Sequence, residues 1–147
     1  MPNGQTTEPR RHGVGTEPPS REPFTGLHAD LTERILACAI EVHRQLGPGL
    51  LESVYEGALK VELAHSGLRY RRQVSYPVLY RGEPVGEHRI DLIVEDAVVV
   101  ELKTVHRLDP VFDAQVLTYL RLSGLKVGLL INFHSRTLRE GIRRFIL

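Results

Sequence analysis

Residues 89–103 constrain the fold more than any other part of the chain, because they combine two apolar runs with a short polar interruption. Apolar, β-branched runs of this kind are typical of buried strands. Residues 95–97 separate the two runs, so the stretch predicts a β-hairpin. A three-residue loop would place Val94 opposite Val98, whereas a two-residue loop would shift the pairing by one and exchange the faces.

The hairpin would bring three charged side chains together. With the three-residue loop Asp91 lies directly opposite Glu101, and Lys103 shares the face of Glu101 because alternate strand residues point the same way. Two carboxylates favour a hard cation such as Mg²⁺, and a lysine beside it can orient a water or stabilise charge during phosphodiester cleavage. A structural ion pair between Glu101 and Lys103 explains the same residues equally well.

Composition narrows the class of protein. The chain has 147 residues, 41% of them hydrophobic, which suits one domain with a packed core. A net charge of +1 excludes a global electrostatic attraction to nucleic acid. Cys38 is the only cysteine, no apolar run could span a membrane, and the start of the chain lacks the apolar core of a secretory signal. These features predict a cytoplasmic protein.

The rest of the chain divides into a tail and one α/β domain. Residues 1–28 are rich in Pro, Gly, Thr, Arg and Glu and are predicted to be a disordered tail, with the domain over residues 29–147. Helices are predicted from apolar residues at helical spacing and from terminal Gly and Pro, over residues 30–46, 51–66 and 109–123. Strands are predicted from alternating or β-branched runs, over residues 70–80, 85–94, 98–103, 127–133 and 142–146. The strand at 127–133 follows a helical crossover, so it should run parallel to an earlier strand.

A motif upstream of the hairpin resembles a known family. Gly49, Glu52 and Tyr55 are spaced as in the signature of the GxxExxY family. That family resembles the PD-(D/E)XK nuclease superfamily, and the resemblance covers nearly the whole chain after the tail.

Later motifs agree with that resemblance. Asp91 is followed by Glu101 and Lys103 as an E-x-K element, and then by Gln115 and Tyr119, which resemble the Q-x-x-x-Y motif of RecB-like nucleases. The resemblance implies a restriction-endonuclease-like core, an α/β fold with a central mixed sheet of roughly four or five strands flanked by helices. It also implies a metal-dependent nuclease that acts on nucleic acid, with DNA favoured, and uses Mg²⁺ with Mn²⁺ as a substitute.

The resemblance assigns roles to individual residues. The catalytic set would be Asp91, Glu101, Lys103 and Glu52. The metal would be held by Asp91, Glu101, the backbone carbonyl of Leu102 and Glu52, the last directly or through water. Gln115, Tyr119 and Tyr55 would be positioning residues, and a role in the core explains Tyr55 equally well.

Other residues are candidates for contact with substrate. Arg89 shares the face of Asp91 by alternation, whereas His88 should point to the other face. Four arginines follow the last buried strand, and Arg139 and Arg143 among them are candidate phosphate contacts beside Arg136 and Arg144. His106 and His134 follow strand ends and are weaker candidate ligands.

Two other functions stay open at this point. The chain could bind nucleic acid or regulate a partner on a nuclease-like fold without cutting, or it could be an interaction module with a salt-bridged pocket. Intact Asp91, Glu101 and Lys103 argue against a degenerate site. A titration with Mg²⁺ or Mn²⁺ would separate the interaction module from the other two. No membrane partner is expected, and the oligomeric state is open, with a homodimer compatible with the sequence.

Overall fold

The computed structural model describes residues 23–147, and most of the predicted tail lies outside them. The elements in chain order are α1 (Ala29–Leu46), α2 (Glu52–His65), β1 (Tyr70–Tyr80), β2 (Glu83–Val94), β3 (Val98–Lys103), α3 (Pro110–Ser123), β4 (Val127–Asn132) and β5 (Ile142–Ile146). A short 3₁₀ turn over Leu138–Gly141 leads into β5. The predicted helices and strands are therefore all present, with ends that differ by one or two residues.

The five strands form one mixed sheet in the order β1-β2-β3-β4-β5. All neighbours are antiparallel except β3 and β4, which are parallel. The helix α3 connects those two strands, so the predicted crossover is confirmed. The α/β fold with a central mixed sheet flanked by helices is likewise confirmed.

The helices cover both faces of the sheet. Val98, Val100 and Leu102 of β3 pack in the larger apolar cluster with α1 and α2, and Val99 packs in the smaller cluster with α3. Gly128 of β4 lies under α3, where an added Cβ would come within 2.7 Å of Val116 Cγ1. Glycine at this position lets the helix approach the sheet closely.

Local signals fix the ends of α3 as the sequence predicts. Asp109 is the N-cap, and its carboxylate accepts a hydrogen bond from the amide of Val111 at 2.9 Å. Pro110 takes the first helical position, where its missing N–H costs nothing. Gly124 ends the helix with φ 73°, in the left-handed region that glycine tolerates best.

The first described residues pack against the last strand. Arg144 of β5 donates hydrogen bonds to the carbonyl of Thr25, at 3.0 Å, and to that of Leu27. Its guanidinium also lies 5.1 Å from the centre of the Phe24 ring. The boundary predicted between tail and domain, at residues 28 and 29, stays a prediction. No helix within residues 23–147 is long and apolar enough to cross a membrane.

Candidate active site

Asp91 lies where β2 separates from β3. Val94 pairs with Val98, so the three-residue loop is confirmed. The pairing of β2 with β3 ends at Leu92, however. The regular hairpin predicted that Asp91 would pair with Glu101, and this pairing is not formed. Instead Asp91 Oδ2 accepts a hydrogen bond from the backbone N–H of Leu102 at 3.0 Å. The carboxylate takes the place of a backbone acceptor at the point where the two strands part.

The alternation of side chains in β2 is interrupted at Asp91. Ile90 and Ile93 both pack in the cluster beneath α3, although they are an odd number of positions apart, while Leu92 packs towards α1 and α2. On β1, Gln73 lies between the partners of Ile90 and Leu92 and has φ 51°. A positive φ is uncommon for a residue other than glycine. The irregularity therefore affects both strands at the level of Asp91.

The interruption reverses the faces predicted for the residues before Asp91. The prediction that His88 points away from the site is wrong, because its ring meets the ring of Tyr119 edge-on at 5.7 Å. Arg89 is exposed, and strand alternation places it on the opposite face from His88. Its role as a phosphate contact stays a prediction, with its geometric basis weakened.

Glu101 and Lys103 form a nearly buried ion pair. The Glu101 side chain is 5% exposed, and its Oε1 lies 3.4 Å from Lys103 Nζ. Its Oε2 is buried and accepts no hydrogen bond from residues 23–147. The carboxyl groups of Glu101 and Asp91 can bond to each other when one of them holds a proton. Burial, and next the negative charge of Asp91, raise the pKa of Glu101 to about 8, against the opposing effect of Lys103. When both groups are ionised, one buried carboxylate oxygen is thus left without a donor from residues 23–147.

Lys103 is held from two sides. Its side chain is 16% exposed, and its ammonium lies 4.7 Å from the centre of the Phe112 ring as well as near Glu101. An ammonium over an aromatic face is attracted by the electrons of the ring. The lysine is therefore oriented before any substrate binds.

Glu52 begins α2 within electrostatic reach of Asp91. Burial raises the pKa of Glu52, and the negative charge of Asp91 raises it further. The predicted third carboxylate is therefore within electrostatic reach of Asp91, and its role as a ligand stays a prediction. Among residues 23–147, however, no three His, Cys, Asp or Glu side chains lie close enough together to hold a metal ion by themselves.

The Gly-Glu-Tyr motif fixes the start of α2. The Tyr55 hydroxyl donates to the carbonyl of Gly47 and accepts from the amide of Leu50 at 3.2 Å. Its ring is fully buried and stacks on Phe133 with the ring centres 4.5 Å apart. Gly49 has φ 101°, which a side chain would strain. Tyr55 is thus a core residue that ties down the turn before Glu52.

Replacing Tyr55 with phenylalanine should destabilise the protein by about 1–3 kcal/mol, because the Gly47 carbonyl and the Leu50 amide lose their partner. Urea unfolding measures the loss. Tyr80→Phe is the matched control, since Tyr80 is 64% exposed. Equal stability of the two variants would show that the hydroxyl does not hold this turn.

Gln115 and Tyr119 lie on α3 beside Glu101. The Gln115 amide donates to the Tyr119 hydroxyl at 2.7 Å. Burial, and next the charge of Glu101, raise the pKa of Tyr119 to about 12. Tyr119 therefore keeps its proton at neutral pH and can donate it. Gln115 Oε1 is buried and has no hydrogen-bond partner in the described part of the chain.

Glu56 is a fourth carboxylate of this region, and sequence reasoning missed it. It is 7% exposed and pairs with Arg72 Nε at 3.1 Å and with the Gln73 amide at 3.0 Å. Its charge raises the pKa of both Asp91 and Glu52. The spacing of four residues from Glu52 on one helix was the signal that could have revealed it.

A family model described as the PD-(D/E)XK nuclease superfamily matches residues 29–145. The chain belongs to this superfamily. No curated protein and no solved structure matches the chain. Membership of the superfamily points to nuclease activity on nucleic acid. Nucleases of this superfamily generally use divalent metal ions.

Two of the four arginines predicted as candidate phosphate contacts have partners within the fold, and the role of the set stays a prediction. Arg143 donates two hydrogen bonds to the Asp113 carboxylate of α3, at 2.8 and 2.9 Å. Arg144 is engaged with the first described residues, as shown above. Arg136 and Arg139 are exposed and line a cleft of about 260 Å³ beside the end of α1. Within residues 23–147, Arg136 and Arg139 show no ion pair, whereas Arg143 is exposed and paired with Asp113.

His106 and His134 contact each other at the ends of β3 and β4. His134 Nε2 and His106 Nδ1 are 3.0 Å apart, and the rings meet edge-on. Within the part of the chain that the structure describes, this pair belongs to no cluster of three possible metal ligands. Their role as ligands therefore stays a prediction without geometric support.

Proposed function

We propose that this protein is a Mg²⁺-dependent nuclease of the GxxExxY family, with DNA as its favoured substrate and Mn²⁺ as a substitute metal. The observation that carries the proposal is the orphaned carboxylate oxygen of Glu101, which is buried next to Asp91 and paired on its other side with Lys103. The single buried Cys38 is consistent with a cytoplasmic location.

The donor set suits a hard divalent cation. Mg²⁺ is usually bound through one or two carboxylates and keeps several waters, so it does not need three clustered side chains. Asp91, Glu101 and the carbonyl of Leu102 would hold it, and Glu52 would act through water. A bound divalent cation supplies a Lewis acid at the phosphate and a water of lowered pKa.

The chain's own residues would orient the reacting groups. Lys103 lies next to Glu101 and is already oriented by Phe112, so its ammonium can position the attacking water or stabilise charge on the phosphate. The Tyr119 hydroxyl accepts from Gln115, which leaves its proton free to donate to a phosphate oxygen or to Glu101.

A cleavage assay tests this function. The protein is incubated with single-stranded DNA, duplex DNA and RNA in Mg²⁺, in Mn²⁺ and in EDTA. We expect metal-dependent cleavage of at least one form. Binding without cleavage in any metal would favour the alternative, a non-cleaving nucleic-acid-binding or partner-regulating protein. Light scattering at the assay concentration would show whether the active species is a monomer or a homodimer.

Mg²⁺ or Mn²⁺ should raise the melting temperature of the wild type, because a ligand that binds only the folded state stabilises it by about 2.7 kcal/mol at 100 times its Kd. Glu52→Gln should melt higher than wild type without metal, since one of the mutually repelling carboxylates is gone, and should gain less from added metal. Glu62→Gln, on the same helix, is the control. If metal raises the melting temperature of Glu52→Gln as much as that of wild type, Glu52 is not a metal ligand and only stabilises the start of α2.

Charge reversal at Arg139 should weaken binding of nucleic acid at low salt and make it less salt-dependent, by about 0.7–0.9 in the slope of log K against log salt. Arg121→Glu is the control, because Arg121 is also exposed but lies at the far end of α3. Identical salt slopes for the two variants would remove Arg139 from the binding surface. Arg143 is less informative, because reversing it also breaks its pair with Asp113.

A further inference from the structure

A cleft of about 420 Å³ opens next to Lys103, between β2 and α3. Most of the surface area of the cleft is apolar, although polar side chains also border it. The lining residues are His88, Lys103, Val111, Phe112, Ala114, Gln115 and Thr118. The cleft is thus continuous with the candidate active site through Lys103 and Gln115, while His88 has no role in the nuclease chemistry proposed above and Phe112 acts there only by orienting Lys103.

The walls of the cleft suit a flat aromatic ligand. His88 is exposed and comes from the ribbon of β1 and β2, and Phe112 comes from the first turn of α3. Nucleobases stack on aromatic side chains with little regard to sequence, because every base has a π-face. Lys103 at the side of the cleft adds a positive charge where the phosphate attached to such a base would lie.

Gln115 borders the cleft, and its amide nitrogen donates to the Tyr119 hydroxyl at 2.7 Å. Its Oε1 is closed to solvent and has no partner within residues 23–147, so the cleft gains no open acceptor from it. A base that enters the cleft must first leave its own stack and its pairing partner, which costs least for a base that is already single-stranded. The cleft therefore favours an unpaired base.

We propose that this cleft binds one unpaired nucleobase of the substrate strand, beside the phosphate that lies at Lys103. The inference rests on the proposed nuclease function and deepens it: the substrate is a strand with unpaired nucleotides at the cleavage point, not an intact duplex. His88 and Phe112 hold the base, and the Lys103 ammonium lies beside its phosphate.

The test measures binding separately from cleavage, in EDTA and at low salt. The probe is an oligonucleotide with one central 2-aminopurine, used as a single strand of DNA, as a single strand of RNA and annealed into duplex DNA. We expect the single strand to bind about 10-fold more tightly than the duplex, with quenching of the 2-aminopurine fluorescence by stacking. The RNA strand shows which sugar the site accepts.

Two variants connect that preference to the cleft. Ala114→Phe fills the cleft from its exposed wall, and His88→Ala removes one aromatic wall, and neither touches the carboxylates. Each should lower the affinity for the single strand about 10-fold and leave the affinity for duplex unchanged. Ala64→Phe is the matched control, because Ala64 is exposed on α2, which packs on the other face of the sheet.

The outcomes separate this inference from the function on which it rests. Equal affinity for strand and duplex, unchanged by Ala114→Phe, would overturn the base-binding cleft, and metal-dependent cleavage would still stand. Binding of the single strand that Ala114→Phe abolishes, in a protein that never cleaves, would support the cleft and remove the nuclease. A protein that binds no nucleic acid at all would overturn both.

Discussion

Replacing Lys103 with alanine should lower the rate of phosphodiester cleavage about 100- to 1,000-fold, the usual effect of removing one preorganised group that stabilises charge in a transition state. Among residues 23–147 Lys103 is the only cation paired with Glu101, and its ammonium lies between that carboxylate and Phe112. The side chain is therefore positioned before substrate binds, and its loss cannot be replaced by a mobile surface lysine. Single-turnover cleavage in Mn²⁺ measures the effect.

Lys126→Ala is the matched control, because Lys126 is exposed and precedes β4 at the opposite end of the sheet from Lys103. Both variants must first be shown to melt cooperatively, since Lys103 also compensates the buried Glu101. A Lys103→Ala protein that cleaves at the wild-type rate would contradict the proposed site. It would also indicate that the observed cleavage comes from a contaminating nuclease.

The sequence predicts those parts of the fold that depend on local signals. The β-branched run of β3, the cap at Asp109 and the turn at Gly124 each specify their own conformation, and all three are found where predicted. The parallel pairing of β3 and β4 is also predictable, because a helical crossover between neighbouring strands forces it.

The site is less predictable where it depends on a break in regular structure. The face argument assumed that β2 alternates without interruption, so it placed Asp91 in the ladder and His88 on the far side. Neither aspartate nor histidine indicates that the strands separate at Asp91. Gln73 has a positive φ although it is not a glycine or asparagine, the residue types that would have suggested one. The interruption arises from the pairing of two strands, so it cannot be predicted from the residues of either strand alone.

Hydrogen-bond partners that lie far apart in the chain could not be predicted from the sequence either. Arg143 is bonded to Asp113, thirty residues earlier, and Arg144 binds carbonyls near the start of the described chain. The sequence therefore shows four neighbouring arginines but not that one of them is paired with a carboxylate and another with backbone carbonyls. Arg143 is exposed like Arg136 and Arg139 but is paired with Asp113, and Arg144 is partly buried.

Glu101→Gln should stabilise the metal-free protein at pH 7 by on the order of 3 kcal/mol, the largest stability change expected here. The fold raises the pKa of Glu101 from its usual 4.5 to about 8. The folded protein therefore holds a proton that the unfolded chain releases above pH 4.5, and the free energy of unfolding falls as the pH rises from about 4.5 to 8. Glutamine resembles the protonated acid in size and cannot ionise, so the variant should lose this pH dependence.

Urea unfolding in EDTA at pH 4, 6 and 8 measures the difference. Wild type and Glu101→Gln should be about equally stable at pH 4, where the acid is protonated in both states, and should diverge as the pH rises. Glu140→Gln is the control, because Glu140 is exposed and should follow wild type at every pH. Parallel pH profiles for wild type and Glu101→Gln would mean that the buried carboxylate is compensated in some other way.

Added metal should reverse the order of stability. A divalent cation compensates the charge on Glu101 and Asp91, so Mg²⁺ or Mn²⁺ should restore the stability of wild type at pH 8 by mass action. Glu101→Gln lacks one of the two carboxylates and should gain little, while its cleavage rate falls with the loss of a ligand. If metal stabilises both proteins equally, the cation binds elsewhere. The buried oxygen of Glu101 then destabilises the fold without serving as a metal ligand.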